Sequence, residues 1–279
     1  MNLAGVVILY NPDDGIIDNI MSYAPFLEHL FIFDNSPSSH ETIKHKIEKV
    51  TNVHFFWDGD NKGLPVCLNK ALELARNIGC RWLLSMDQDS RFNPNGLKDY
   101  ISCIPSLPEN AYGISATYQN EIKGNKLPSQ RLTVVQTCIT SGNIINVPIA
   151  ILCGGFDENL FIDEVDSEFC YRCNKAGYTL YKYNKIVFTH HLGNPIHKNI
   201  LGFHYTAVNE SYFRQYYIIR NRLYVASKYP EIKPQYYLNI IKWIAKIILA
   251  APNKIKKLLY AYRGWKDYKS NKMGKMQIC

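Results

Sequence analysis

The sequence predicts an α/β protein: a doubly wound, mixed but mainly parallel sheet flanked by helices. Two observations predict it. Four short apolar runs of strand length lie in the first 90 residues, and segments with helical spacing separate them. Strands that alternate with helices form a parallel sheet, because each crossover returns the chain to the same edge. The runs are residues 3–9, 29–33, 53–57 and 81–86.

The clearest helix is predicted over residues 64–79, where apolar positions recur at helical spacing and Gly79 ends the run. The second half of the chain contains further strand-like runs, and no Pro/Gly/Ser-rich linker separates them from the first half. We therefore expect a mixed extension of the same sheet. The expected organisation is one domain over residues 1–228 and a basic helical tail over residues 229–279.

Composition excludes several classes of protein. The chain has 279 residues, of which 47% are hydrophobic, so it can form a large globular core and is not disordered. It lacks both the roughly 20-residue apolar run of a membrane-spanning helix and the start of a signal peptide, so a cytoplasmic protein is expected. The eight cysteines are scattered in apolar contexts, as reduced core thiols are.

The net charge of +8 belongs to the tail. From Lys228 onward there are 12 Lys and Arg against Glu231 and Asp267, which leaves residues 1–227 with a net charge of −2. Within the tail, residues 236–251 are expected to form about four helical turns, with Asn239, Lys242 and Lys246 on one stripe. This pattern favours a helix lying on an anionic membrane surface; the alternative is a helix packed on the domain with its lysines outward.

The stretch "LLSMDQDS" places Asp87 and Asp89 at the end of a predicted strand. Side chains at i and i+2 of an extended chain point the same way, and two adjacent carboxylates repel unless a cation neutralises them. Oxygen ligands suit Mg²⁺ or Mn²⁺, which also bind phosphates. The alternative is a solvated turn whose Asp caps a helix near Pro94. Polar residues after the other three strands favour the metal site, because ligands bind at the carboxyl ends of parallel strands.

A second acidic cluster, "FIDEVDSEFCYR", has four carboxylates, at residues 163, 164, 166 and 168. One of them could accept a proton from a nucleophile, since close acids raise one another's pKa. The alternative is an acidic helix start with Asp163 as its N-cap, favoured by the helix dipole. These patterns do not choose among the four.

A third feature is "FTHHLGNP", in which His190 and His191 follow an apolar run and open a Gly/Pro loop. One of them could complete a metal shell, although a lone histidine is more often a packed or surface residue. Cys170 and Cys173 form a C-x-x-C pair, but a zinc site is disfavoured because no second cysteine pair accompanies it.

Taken in order, "VVILYNP", "DNSP", "NKG…LNKAL", "DQDS", "TSG", "GGFDENLFIDEVDSEFCYR" and "HHLG" resemble the inverting glycosyltransferases of family 2, which have a GT-A fold. Within that family they look most like bacterial rhamnosyltransferases of surface-polysaccharide synthesis, including O-antigen and capsule. The similarity runs from about residue 3 to about residue 225, so the basic tail lies outside it.

The resemblance implies a nucleotide-binding group. Asp34 matches the acid that contacts the pyrimidine base, and Tyr10 and Asn11 would line the same pocket. Asn61 and Gly63 match the loop beside the nucleotide and ribose. The implied donor is a dTDP- or UDP-sugar.

The resemblance also assigns the metal and the chemistry. Asp87 and Asp89 match the D-x-D pair that holds ribose and a divalent metal, Mg²⁺ or Mn²⁺, and His190 matches the histidine that joins the metal or diphosphate, with His191 as the alternative. Asp166 matches the catalytic base. Glu168 and Arg172 are implied to support this base. The residues implied to lie near the sugar and the acceptor are Ser141, Gly142, Gly155 and Asp157. Weaker candidates on the donor side are Arg220 and Asn221.

One base and one metal imply a single displacement with inversion, in which the metal neutralises the leaving diphosphate and the base deprotonates the acceptor hydroxyl. The implied acceptor is a glycan or lipid-linked glycan, which favours peripheral attachment to the inner face of the cell membrane. Whether the chain forms a homo-oligomer stays open.

Two other classes compete. Interleaved Lys, Trp and Tyr in the tail could indicate a nucleic-acid-binding module, but the rest of the chain is slightly acidic and no recognised binding motif is present. A nucleotidyl or phosphoryl transferase would also use paired aspartates, although the sequence has no Walker-type glycine loop. We expect no nucleic-acid partner.

Overall fold

The structure is a computed structural model that describes residues 2–119, 128–190, 195–200, 203–208 and 210–277. Side chains are described in these ranges except at 190, 195–200, 203–208 and 250. The chain forms two compact units, one of Met1–Asp157 with Asp166–His191 and one of Glu158–Val165 with Leu192–Cys279. This division differs from the expected boundary after residue 228, because the helix that precedes that boundary packs with the tail helices.

The first unit contains a mixed sheet of nine described strands. Its order is β3-β2-β1-β4-β8-β6-β9-β5, with β7 also paired to β9. The first four strands in this order are parallel, β8 is antiparallel to both neighbours, and β6 and β9 are parallel. The strands are β1 (Leu3–Leu9), β2 (His29–Asp34), β3 (Val53–Trp57), β4 (Trp82–Asp87), β5 (Ser90–Phe92), β6 (Ala111–Tyr118), β7 (Leu132–Val135), β8 (Asn143–Asn146) and β9 (Thr179–His190).

Helices cover this sheet and form its core. Apolar side chains of the inner strands β1, β4 and β6 are almost wholly buried, as expected for strands covered on both faces. Ile16, Ile20, Ile43 and Ile47 of the first two helices belong to the same core cluster as the strands. The helices are α1 (Ile16–Met21), α2 (Glu41–Ile47), α3 (Leu64–Asn77), α4 (Pro94–Ile101), α5 (Val147–Leu152) and α6 (Val165–Lys175).

The second unit is mainly helical. Two antiparallel strands precede three helices, and apolar residues of the last two helices pack on Ile219 and Leu223 of the first. None of the described helices is both long enough and apolar enough to span a bilayer. The elements are β10 (Pro195–Ile200), β11 (Phe203–Val208), α7 (Tyr212–Lys228), α8 (Lys233–Ala250) and α9 (Lys254–Lys269).

The predicted fold class is confirmed, including the mixed extension of the sheet. The predicted strands and the helix over residues 64–79 differ from the observed elements by at most two residues. One helix start differs in its cap: α4 begins at Pro94, and Asn93, not an aspartate of "DQDS", accepts the N-terminal hydrogen bond. The solvated-turn interpretation of "DQDS" is therefore wrong in its proposed cap.

Candidate functional site

The D-x-D turn lies at the carboxyl end of β4, which is an inner strand of the sheet. The backbone N–H of Asp87 donates to Ser141 Oγ at 3.2 Å, and Ser141 Oγ donates to Ser90 Oγ at 2.7 Å. Ser90 in turn donates to an oxygen of Asp89 at 3.4 Å. Burial raises the pKa of Tyr23, and the charge of Asp87 raises it further. Buried hydroxyls therefore hold the turn that presents the two carboxylates.

The residue between the two aspartates connects this turn to the end of β1. Gln88 Oε1 accepts from the backbone N–H of Tyr10 at 2.8 Å, and Gln88 Nε2 donates to the carbonyl of Tyr10 at 3.2 Å. The ring of Tyr10 is half exposed. Asn11 follows in a left-handed conformation, with its N–H bonded to Ser36 Oγ at 2.7 Å. Sequence analysis missed Gln88, although it lies inside the motif.

Asp34 ends β2, and its carboxylate is almost fully buried. One oxygen accepts from the N–H and the hydroxyl of Ser36, and the other lies 3.2 Å from Nδ1 of His40. In the sheet register, Asp34 is opposite Leu9 and Asp87 is opposite Ile8, so the two aspartates lie two strands apart, about 10 Å. Both predicted acids therefore lie at the carboxyl edge of the sheet.

The loop before α3 holds the two other nucleotide-side candidates. Asn61 Oδ1 accepts from the backbone N–H of Gly63 at 3.0 Å. Gly63 has φ 83°, a conformation that glycine adopts without strain, and its carbonyl accepts from Asn35 of the "DNSP" motif at 3.4 Å. These contacts connect the second and third polar loops at one sheet edge.

The structure also brings the distant histidine motif to the D-x-D turn. β5 begins one residue after Asp89 and pairs with the end of β9, where Ser90 is directly opposite His190. The backbone of His190 therefore lies on the strand beside the D-x-D motif. The side chain of His190 and all of His191 lie outside the described residues.

The four carboxylates of the acidic cluster have different surroundings. Asp163 accepts hydrogen bonds from Arg214, and Glu164 accepts from Arg222 and from the hydroxyl of Tyr236. Asp163 therefore binds an arginine, and it precedes the helix start at Val165 by two residues instead of capping it.

Glu168 is fully buried, and both of its oxygens accept from Arg172, at 3.2 and 2.7 Å. Arg172 also donates to the carbonyl of Cys153, at the end of α5. This bidentate ion pair fixes α6 against the preceding helix.

Asp166 lies in the first turn of α6. Its Oδ1 accepts from the N–H of Ser167 at 2.8 Å, and its Oδ2 accepts from the N–H of Thr140 at 3.2 Å. Thr140 is followed by Ser141, whose hydroxyl holds the backbone of Asp87. The dipeptide Thr140–Ser141 therefore contacts the D-x-D turn on one side and Asp166 on the other.

Two glycines predicted to lie near the sugar occupy positions where a side chain would not fit. Gly142 has φ 74°, and a Cβ there would lie 2.7 Å from the ring of Phe188. Gly155 has φ 65°, and a Cβ there would lie 2.5 Å from Asn69 Oδ1. Asn69 binds both the N–H and the carbonyl of Phe156, at 2.6 and 2.9 Å.

The "GGFD" turn is thus held by an asparagine of α3 that sequence analysis did not single out, although it lies in the quoted "LNKAL". Asp157, the predicted sugar or acceptor contact, follows this turn and is half-buried.

Arg220 and Asn221 are fully buried in the second unit. Arg220 donates to the carbonyls of Asn159 and Leu160 and to that of Gly274. Asn221 Nδ2 lies 2.6–3.1 Å from three backbone carbonyls, one of which is again that of Leu160. These contacts differ from the donor-side role expected, because side chains with no exposed surface that bind backbone carbonyls stabilise the fold around them.

Cys170 and Cys173 of the C-x-x-C pair are buried in α6. Among the described residues no group of three or more His, Cys, Asp and Glu side chains is arranged to hold a metal ion. Burial raises the pKa of Cys173, and a hydrogen bond with Cys170 together with burial raises that of Cys138.

Known proteins are similar to this chain in sequence and in fold. No protein-family model matches the chain. The dTDP-rhamnosyl transferase RfbF of Shigella flexneri is 25% identical over 248 residues, covering 81% of this chain and 80% of the relative. Crystal structures of S. aureus TarS 1-349 superimpose with TM-scores of 0.54 with UDP and 0.55 with UDP-GlcNAc, at 16% identity, covering 97% of this chain and 72% and 73% of theirs.

The chain therefore shares the fold of the TarS structures and is similar along most of its length to a dTDP-rhamnosyl transferase, as the resemblance of its motifs implied.

Proposed function

We propose that this enzyme transfers L-rhamnose from dTDP-rhamnose, with inversion, to a glycan or lipid-linked glycan of a bacterial surface polysaccharide. The observation that carries the reaction is the Thr140–Ser141 dipeptide, which contacts the D-x-D turn and Asp166 through adjacent residues. The choice of rhamnose rests on the similarity to RfbF across four fifths of both chains. The competing assignment is another dTDP- or UDP-sugar, as in the TarS complexes with UDP and UDP-GlcNAc.

Asp166 is the proposed base. In a single displacement the acceptor hydroxyl attacks the anomeric carbon as the bond to the nucleotide diphosphate breaks, and its proton passes to a carboxylate. The neighbouring acids Asp163, Glu164 and Glu168 each bind an arginine. Backbone N–H groups from two segments fix the orientation of Asp166.

The donor set at the turn fits a divalent cation. Asp87 and Asp89 supply carboxylate oxygens, which Mg²⁺ or Mn²⁺ prefer, and Mg²⁺ typically takes one or two carboxylates and completes its shell with water and phosphate. Such an ion would neutralise charge on the departing diphosphate. Gln88 and Ser141 hold the turn that presents these oxygens, while Tyr10, Asn11, Asp34, Asn61 and Gly63 are the proposed nucleotide contacts.

An assay of purified protein against a panel of nucleotide sugars tests the proposal. Each reaction contains Mg²⁺ or Mn²⁺ and a lipid-linked glycan acceptor, and the release of nucleotide diphosphate is measured. We expect dTDP-rhamnose to give the highest kcat/KM. A higher kcat/KM with another nucleotide sugar would show that dTDP-rhamnose is not the donor. Release of pyrophosphate in place of nucleotide diphosphate would identify a nucleotidyl transferase.

Peripheral attachment to the membrane is the second part of the proposal. One face of α8 packs on α7 through Ile240, Trp243 and Ile244. The opposite face exposes apolar side chains, with Ile241 65% and Leu249 75% exposed, next to the exposed Lys242 and Lys246. An apolar stripe flanked by lysines suits the surface of an anionic bilayer, whereas a second copy would bring like charges together.

Sedimentation with vesicles tests the attachment. The variant I241E/L249E should lose binding to vesicles that contain phosphatidylglycerol, while Leu152→Glu, which changes an exposed leucine of α5, should bind as the wild type does. Equal binding of the wild type to vesicles of phosphatidylcholine alone would contradict the proposed attraction between the lysines of α8 and anionic lipids. Unchanged binding of the double variant would exclude this face.

A further inference from the structure

Residues 159–164, here called the acid loop, have an unusual backbone. Phe161, Asp163 and Glu164 have φ of 61°, 63° and 63°, although none of them is glycine. The left-handed region is sterically unfavourable for residues with a Cβ, so three such residues in four persist only where surrounding contacts determine the conformation. The acid loop leads directly into α6, whose second residue is Asp166.

Asn221 supplies the densest of these contacts. Its Nδ2 lies 2.7 Å from the carbonyl of Leu160, 2.6 Å from that of Ile162 and 3.1 Å from that of Asp163. These carbonyls surround the left-handed residues. A fully buried amide that binds backbone oxygens fixes the path of the loop without depending on the loop's side chains.

Arg220 holds the start of the acid loop. Its guanidinium donates to the carbonyls of Asn159 and Leu160, and its Nε donates to Asn221 Oδ1 at 2.9 Å. The same guanidinium lies over the rings of Tyr216 and Tyr217, 5.1 and 5.0 Å from their centres. Arg220 therefore orients Asn221 as well as the loop.

The side chains of the acid loop are held by other helices of the same unit. Arg214 of α7 binds Asp163, and Arg222 of α7 binds Glu164. Tyr236 of α8 donates to Glu164 at 2.7 Å. Backbone and side chains of this segment are thus fixed together, which ordinary packing of a surface loop would not require.

We propose that Asn221, oriented by Arg220, is a positioning residue for the transfer reaction: it holds the acid loop left-handed and thereby fixes the first turn of α6, on which Asp166 lies. This inference rests on the proposed function, because it concerns the orientation of the proposed base. It replaces the donor-side role that the sequence suggested for both residues.

The test compares Asn221→Ala with Asn239→Ala, which removes an exposed amide of α8. We expect amides of residues 160–168 to exchange hydrogen at least tenfold faster in Asn221→Ala, and kcat to fall at least tenfold. The Kd for dTDP, measured by calorimetry, should change less than twofold. The control should match the wild type in all three measurements. Asn221→Ser, which keeps one hydroxyl donor, should give smaller changes in the same direction and serves if Asn221→Ala does not fold.

Two outcomes would overturn the inference. Unchanged exchange of residues 160–168 would show that Asn221 does not hold the loop. A parallel fall in kcat, dTDP binding and thermal stability would show a general structural role. If the wild type transferred no sugar from any nucleotide donor, the proposed function would fail instead. Faster hydrogen exchange in residues 160–168 of Asn221→Ala, but not elsewhere, would then still show that Asn221 holds the acid loop.

Discussion

The acid loop and the first turn of α6 hold their acidic residues through different contacts. At the sheet edge of the first unit, Asp166 is bound by backbone N–H groups, and the backbone of the D-x-D turn is bound by a serine hydroxyl. In the second unit, Asp163 and Glu164 are bound by arginines. Backbone amides orient a carboxylate without supplying a full opposing charge, whereas an arginine neutralises it. The described contacts of Asp166 thus differ in kind from those of Asp163 and Glu164.

The strongest test of this contrast is Asp166→Asn. Loss of a general base typically lowers the rate 10²–10⁴-fold, so we expect kcat to fall about 1,000-fold while dTDP-rhamnose still binds. Glu73→Gln, the same chemical change on the exposed surface of α3, should leave kcat unchanged. Turnover near normal in Asp166→Asn with donor bound would remove Asp166 from the base role.

The next largest effect is expected at the D-x-D turn. Asp89→Ala should lower kcat/KM about 100-fold, because one proposed metal ligand is lost and charge on the leaving diphosphate is less well stabilised. The concentration of Mn²⁺ that gives half-maximal activity should rise in the same titration. An unchanged metal dependence would place the cation elsewhere.

Two arginine variants compare buried and exposed ion pairs. Arg172→Met leaves the fully buried Glu168 without its partner and should lower the free energy of unfolding by about 3 kcal/mol. Arg214→Met removes an arginine that is 43% exposed from a carboxylate that is 14% exposed, and should cost less than Arg172→Met. Urea denaturation of both variants measures the difference. Equal losses in the free energy of unfolding would mean that the stabilisation by these ion pairs does not depend on their solvent exposure.

The smallest effect concerns a site without carboxylates. His29 Nδ1 and His54 Nε2 lie 3.0 Å apart on β2 and β3. Burial, and then the charge of His29, holds the pKa of His54 below its usual 6.5. The unfolded chain therefore binds more protons than the folded protein below that pH, and stability should fall as the pH drops through this range. His54→Gln should reduce the difference between the urea midpoints measured at pH 7.5 and at pH 5.5. If that difference stays as large as in the wild type, other groups cause the pH dependence of stability.

Much of the site followed from the sequence. Apolar runs placed the strands, and polar residues after them placed Asp34, Asp87 and Asp89 at one edge, because parallel strands end on the same side of a sheet. Sequence patterns did not predict Gln88, Thr140 or Asn69 as contacts. Gln88 and Asn69 bind backbone atoms far away along the chain, and the backbone N–H of Thr140 donates to the side chain of Asp166. Such pairings leave no periodic signal.

The sequence by itself determined the fold class and the motifs that carry acids, because strand length, helical spacing and turn residues are local properties. Only the tertiary structure decided how the four carboxylates of the acidic cluster differ, since their partners Arg214, Arg222 and Thr140 are distant in sequence. It also decided that Arg220 and Asn221 bind an internal loop: burial depends on packing of the whole chain, and a polar side chain in a helix has the same local pattern whether it faces a ligand or a backbone carbonyl.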